Sequence, residues 1–449
     1  MGLFSEVGVE NAQMYPYINV GSMIDIATGT FELGINGEWL LNGGLAPITA
    51  VCGRAQTYKS TIVDSLIAQA LIRYSRMDVL KYDTESNSFG LERFDKMAGK
   101  RIQDRITLSN MSTLPLPDFI EGLKAAQAFK MKNKKEYTVE TPFLDANTGK
   151  PIVMWIPTII DIDSFSCLRT SNETELMETL SVEDSKQNMT AMYDGKVKRS
   201  LMRMFSHWSY KYGMYFLMTA HVDDQYDLDP RKPSQKQLQW MKQSDRLKSV
   251  GSQFEFLTNI LLQCVSPTPI LDSSKKEAEY PNGSGTNVDI NEVNLRLLRC
   301  KTNAAGTTIP LVMSQTLGIL GDLSNYHYMK NNGDFGFNVK GHNRYSMLTP
   351  EVRLHRKDII STLEANVEVC RGLEILSQLK WILNYWNVDK MNTNIPETAE
   401  KFIEMIVAND TIAISDILNS RGYWTYDKDN DRPYMSIMDI LDILNGVKK

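Results

Sequence analysis

The stretch "CGRAQTYKST", Cys52 to Thr61, carries the residue types of a phosphate-binding loop. The general pattern is G-x-x-x-x-G-K-[ST]: backbone N–H groups at a helix N-terminus cradle phosphates, the lysine adds a point charge, and the next hydroxyl ligates Mg2+. Gly53, Lys59 and Ser60 hold their places, while Tyr58 stands where the second glycine belongs. Gly53, Arg54, Ala55, Gln56, Thr57, Tyr58, Lys59, Ser60 and Thr61 are therefore candidates for holding ATP, with Ser60 a candidate Mg2+ ligand. A tyrosine is tolerated at this position if it has already entered the helix with its side chain pointing outward.

Two further segments end in carboxylates. "VLKYDTES" closes an apolar run with Asp83 and Glu85, and Glu85 is a candidate general base for activating water. "TIIDIDS" closes another with Asp161 and Asp163. At a strand tip Asp163 would hold the water shell of Mg2+, and Asp161, two residues earlier, points the same way, so the choice between them stays open. The order is a loop, then about 25 residues to the D-x-E end, then about 80 to the D-S end. That order of parts is rarer than any one motif.

Such residues need a sheet that presents them at one edge. Short apolar runs alternate with helical patterns from about residue 47 to 320, which predicts an α/β fold around a mainly parallel central sheet. Strands are expected at 47–52, 78–83, 105–110, 157–164 and 214–221, with 256–264 and 293–300 forming a late antiparallel pair. After the loop, Ile62, Val63, Leu66, Ile67, Ala70 and Leu71 recur at helical spacing. The segment 130–156, around an Asn-Thr-Gly turn, reads as a β-hairpin insertion that includes the basic run "KMKNKK". Two polar segments, about 168–198 and 222–250, lack clean periodicity. Residues 1–40 form an N-terminal segment suited to subunit docking, 41–340 the core, and 341–449 a separate helical C-terminal domain.

Composition sets limits. At 449 residues the chain accommodates a large core and a smaller domain, and 42% hydrophobic with 23% charged residues is ordinary for a globular protein. A net charge of −5 disfavours nucleic-acid binding over the whole surface but allows a local basic channel. Cys52, Cys167, Cys264, Cys300 and Cys370 are scattered without a C-x-x-C pair, which predicts reduced thiols in a cytoplasmic setting, with neither disulfides nor a zinc site. No run of 18 apolar residues and no basic-then-apolar leader is seen, so neither a membrane span nor a secretory signal is expected.

Together "NGGLAPITAVCG", "KYDTES", "IDSFSCL" and "MTAHVDD" resemble the RecA-type recombinases, closest to their phage UvsX-like branch, in which an aromatic residue replaces the loop glycine as Tyr58 does. The resemblance covers roughly residues 28–325 and implies a RecA-like P-loop ATPase core with ATP and Mg2+. It makes His221 a sensor coupling the γ-phosphate to the DNA loop, where RecA itself carries glutamine. It makes Arg299 and Lys301, in "LLRCKTNAAG", cations reaching a neighbouring subunit's ATP. It assigns the two polar segments to DNA binding, with Lys198, Arg199, Arg231, Lys232, Lys236, Trp240, Lys242, Arg246 and Lys248 as contacts. The implied function is filament formation on single-stranded DNA and pairing with homologous duplex DNA, in a bacterial host's cytoplasm, with phage single-strand-binding or mediator proteins as further partners. A hexameric replicative helicase of the same ATPase class is the alternative, but those keep the loop glycine and carry their helical domain first. A RecA-fold scaffold that lost hydrolysis is a third reading.

Overall fold

The computed structural model describes the chain except residues 1–14, 22, 86–89, 170–185, 226–235, 273, 275–276, 282–288, 389–392, 428–429, 431 and 449, with 186–193 described as backbone only. Its centre is a large, mostly parallel sheet. Its main strands are β1 Ile48–Gly53, β2 Asp78–Asp83, β3 Ile106–Asn110, β4 Thr158–Asp163, β5 Met214–Asp224, β6 Ile260–Cys264, β7 Ile290–Cys300, β8 Thr308–Ser314 and β9 Gly318–Ile319, with short side strands Asp245–Leu247 on β5 and Thr268–Pro269 on β7. Across the sheet they lie in the order β9-β8-β7-β6-β1-β5-β4-β2-β3. The six from β6 to β3 run parallel, and β7, β8 and β9 each run antiparallel to the strand before. The expected late antiparallel pair is thus β6 and β7. Its first strand begins only at Ile260, because Ser252–Leu257 form a short helix.

Every residue of β1 is buried, as its mainly apolar sequence, interrupted only by Thr49, requires for a strand covered on both faces. Ile48, Ala50 and Cys52 face one layer, with Leu116, Phe119, Leu201 and Phe205 from two long helices. Val51 faces the other, with Ile62, Val63, Leu66 and Ile67 of α1, Lys59–Arg73. The result is helix, sheet, helix.

That second layer continues into both ends of the chain. One buried apolar cluster runs from Tyr15 to Leu441. Trp39 Nε1 donates to Asp442 at 2.6 Å, and the Tyr74 hydroxyl donates to the carbonyl of Trp424 at 3.0 Å. The C-terminal part therefore shares its core with residues 15–42 and α1 instead of standing apart. It also opens as sheet: Phe337–Lys340, Asn343–Ser346 and Thr349–His355 pair before the helices begin at Ile359, so a boundary at 341 cuts through a hairpin. The docking role expected of 1–40 falls partly outside the described residues. The described part is fastened to its own chain, as by the Tyr215 hydroxyl on the Pro16 carbonyl. Among the described residues no helix is long and apolar enough to cross a membrane.

The hairpin insertion is present but shorter than its expected bounds, Thr138–Leu144 paired with Pro151–Trp155. The run "KMKNKK" lies on the end of α2, Leu116–Lys132, and the turn after it, because helical periodicity continues to Lys132. Lys130 is buried and donates to the carbonyls of Ile156 at 2.9 Å and Tyr212 at 3.2 Å, so it is not a surface charge. Burial pushes its pKa from 10.5 down to about 7. Between those values the unfolded chain binds more protons than the fold, so this lysine makes stability rise with pH. Lys130→Met is expected to match or exceed the wild type by about 1 kcal/mol at neutral pH, with its advantage shrinking towards alkaline pH. Urea unfolding at about pH 7 and about pH 9 checks this; a difference independent of pH would contradict it.

Candidate functional site

The loop leaves β1 at Gly53, where a Cβ would meet Thr57 Oγ1 at 2.5 Å and the Cys264 Cβ at 3.1 Å, so only glycine fits. The carbonyl of Arg54 accepts from Thr57 Oγ1 at 2.8 Å and from Lys59 Nζ at 2.7 Å, which closes the loop around its own lysine. Tyr58 has not entered the helix. It is the N-cap of α1 in the left-handed region, φ 67°, the conformation that makes glycine favourable at this place in the general motif. The ring is half-buried against the core, and its hydroxyl accepts from Asn291 Nδ2 at 2.9 Å. These contacts offset a backbone cost of about 1 kcal/mol. Tyr58→Gly is accordingly expected to be more stable than Tyr58→Ala by about 1 kcal/mol, since both lose the ring but only alanine keeps the φ penalty. Equal denaturation midpoints for the two would refute the left-handed assignment.

The carboxyl ends of β1, β2, β4 and β5 enclose a cleft of about 490 Å³ lined by Ala55 to Thr61 together with Glu85, Arg93, Asp163, His221 and Gln315. This is where parallel α/β sheets place ligands. Register explains the convergence, because Asp83 pairs with Asp163 and Gly53 with His221 across neighbouring strands. Thr84 clips the turn carrying Glu85 onto the end of β4: its Oγ1 donates to the Ser164 carbonyl at 2.8 Å, and Ser164 N donates back at 2.7 Å. The Asp163–Ser164 peptide is cis. Asp163 accepts from Thr219 Oγ1 at 2.6 Å.

The two aspartates of β4 separate by depth. Asp161 is fully buried and accepts from Lys81 Nζ at 2.6 Å, whereas Asp163 borders the cleft. Lys81 also reaches Asp64 of α1 at 3.0 Å and lies 3.7 Å from Asp163. Burial opposes its charge, but Asp161, Asp64 and Asp163 together outweigh it and hold the ammonium well above its usual range.

Glu85 and His221 meet directly, Oε1 to Nε2 at 2.7 Å. The His221 hydrogen bond lowers the Glu85 pKa to about 2 against the opposing effect of burial. Hydrogen bonds to Cys167 and Glu85 raise His221 to about 9. The pair is a carboxylate and an imidazolium at neutral pH. Ser166 Oγ accepts from the His221 backbone N–H at 2.9 Å, fixing β5 against the turn after β4.

Arg54 turns its side chain away from the cleft. Its guanidinium bonds Asp224 and, at 2.9 Å, Asp245, the cross-strand pair where Val222–Asp224 meets Asp245–Leu247. The second polar segment is thus closed at its base by a short ladder. Within it Lys236, Trp240, Lys242, Arg246 and Lys248 are exposed, and Lys248 lies 3.3 Å from Asp223. Arg231 and Lys232 lie outside the described residues, as do 170–185 of the first segment. From Lys186 that segment is helix, through Tyr212. Arg199 is exposed on that helix. Lys198 is not a surface cation: it is buried, donates to the Ser249 carbonyl at 2.9 Å and pairs with Asp194 at 3.1 Å. Its long stem lets it satisfy carbonyls in the interior, so it is removed as a DNA contact.

Arg299 donates to the carbonyls of Thr258 at 3.1 Å and Phe256 at 3.1 Å, and Lys301 is exposed beside it. Because β7 is antiparallel, Cys300 pairs with Ile260, the first residue of β6, whereas Cys264 at its other end pairs with Gly53. Both cations therefore stand at the far end of the sheet from their own chain's cleft.

Sequence reading missed Arg93, Gln315, Thr219 and Cys167. Arg93 donates to Thr61 Oγ1 at 2.7 Å and lies 3.5 Å from Asp64. Thr219 had a visible signal, since it precedes His221 by two residues and so shares its face of the strand. The other three have none. No protein-family model matches the chain, and no curated protein matches it.

Proposed function

We propose that the chain is an ATP-dependent DNA recombinase with a RecA-like core, one that assembles as a filament on single-stranded DNA and pairs it with homologous duplex. The observation that carries the reading is the single cleft that gathers Lys59, Ser60, Glu85, Asp163 and His221 from separate strand ends. Each has a proposed role in this reading. Loop amides and Lys59 bind phosphates. Ser60 and Asp163 offer hard oxygen donors suited to Mg2+, which would supply charge neutralisation on the phosphates when bound. Glu85 positions and deprotonates water once released from His221, because a carboxylate held at about pKa 2 is a weak base.

His221 is then the coupling residue, and a second route runs through Arg54 to the base of the second polar segment. Arg299 and Lys301 cannot serve their own cleft; Lys301 is exposed towards a neighbouring subunit's nucleotide, and Arg299 would reach it on leaving the Thr258 and Phe256 carbonyls. That arrangement makes hydrolysis depend on assembly.

Electron microscopy with single-stranded DNA and a non-hydrolysable ATP analogue tests the reading. Helical filaments are expected; closed rings would select the helicase alternative, and dispersed particles would contradict both.

A further inference from the structure

We infer that Glu85, Cys167 and His221 form a binding site for a borderline-soft divalent cation of the Zn2+ type, distinct in chemistry from the Mg2+ site proposed for Ser60 and Asp163. One carboxylate oxygen, one thiol sulfur and one imidazole nitrogen lie within 4.8 Å of one another, the single such group of three among the described residues. Glu85 Oε1 is 2.7 Å from His221 Nε2 and 3.5 Å from Cys167 Sγ. In a tetrahedral zinc site, bonds of about 2.3 Å to sulfur and about 2.0 Å to nitrogen or oxygen put donors about 3.3–3.6 Å apart. Small rotations of the Glu85 and His221 side chains bring the three into that spacing.

The donors come from three places in the chain: the turn after β2, the 3-10 turn Phe165–Cys167 after β4, and β5. Adjacent strand ends hold them together, which is why the lack of a C-x-x-C pair in the sequence gave no warning of the site. It is open on two sides, since Glu85 and His221 line the nucleotide cleft while Cys167 and His221 line a second depression with Arg54 and Ser166. Three protein ligands would leave a position for water. A thiolate and an imidazole select zinc, cobalt or nickel over magnesium. Binding breaks the His221–Glu85 hydrogen bond and releases to solvent the Cys167 thiol proton and the proton shared by that pair. On the proposed function, which this consequence rests upon, the ion sequesters the water-activating carboxylate and arrests hydrolysis.

Titration of the full chain with Co2+ in excess Mg2+ tests the site without reference to activity. One equivalent should bind with a thiolate-to-cobalt charge-transfer band in the near ultraviolet, displaced by Zn2+. Cys167→Ser should abolish the band and weaken Co2+ binding by about tenfold or more. Absence of the band, or its persistence in Cys167→Ser, would overturn the site. Zn2+ is then added to an ATP-hydrolysis assay, where it should inhibit the wild type at a concentration about tenfold below that needed for Cys167→Ser. A cobalt site as described on a protein whose hydrolysis is absent or indifferent to Zn2+ would uphold the site and refute the role given to Glu85.

Discussion

Glu85→Gln is expected to bind ATP as the wild type does and to hydrolyse it about 10²–10⁴-fold more slowly. The amide keeps the size of the carboxylate and an oxygen that can accept from His221 Nε2, now 2.7 Å from Oε1. It cannot take a proton from water. The loop that would hold the phosphates is built by Gly53, Thr57 and Lys59 around the Arg54 carbonyl, on the β1 side of the cleft. Nucleotide binding and hydrolysis should therefore separate, the first read by titration with a fluorescent ATP analogue and the second by phosphate release. Lys59→Ala should lose both. Unchanged turnover in Glu85→Gln would move the general base elsewhere in the cleft.

Lys81→Met should be the most destabilising single change beneath the site, at about 3–5 kcal/mol. The ammonium is buried among Asp64, Asp161 and Asp163, and Asp161 is itself fully buried. Removing the cation leaves carboxylates of which, among the described residues, only Asp64 keeps a cationic partner, Arg93 at 3.5 Å. The loss should be partly recovered in Lys81→Met combined with Asp161→Leu, because the double variant removes the charge left uncompensated. Urea unfolding of the four proteins of this cycle gives the coupling. Additive losses would show that the cluster is not acting as a unit.

Much of the scaffold was legible because burial dictates it. β1 is apolar except for Thr49 because both its faces are covered, and α1 repeats its apolar residues at helical spacing because one side faces the sheet. The strand-end carboxylates could be found because each closes such a run. Depth could not be read: Asp161 and Asp163 share a face of β4, and only the position of Lys81 on the next strand decides which is interior. The burial of Lys198, expected as a DNA contact, and of Lys130 could not be read, because a sequence does not show which carbonyls a long stem will reach. The left-handed conformation of Tyr58 could not be read, because a backbone angle leaves no mark when the usual glycine is gone. The joining of the two chain ends into one core, as in Trp39 with Asp439 and Asp442, spans a separation no local pattern records.

The most direct measurement is ATP hydrolysis by the purified chain, with and without single-stranded DNA, over a series of salt concentrations. The account predicts turnover that rises on adding DNA, with the DNA concentration for half-stimulation increasing with salt along a logarithmic slope of about 0.7 per phosphate contact. Hydrolysis that ignores DNA at every salt concentration would contradict it.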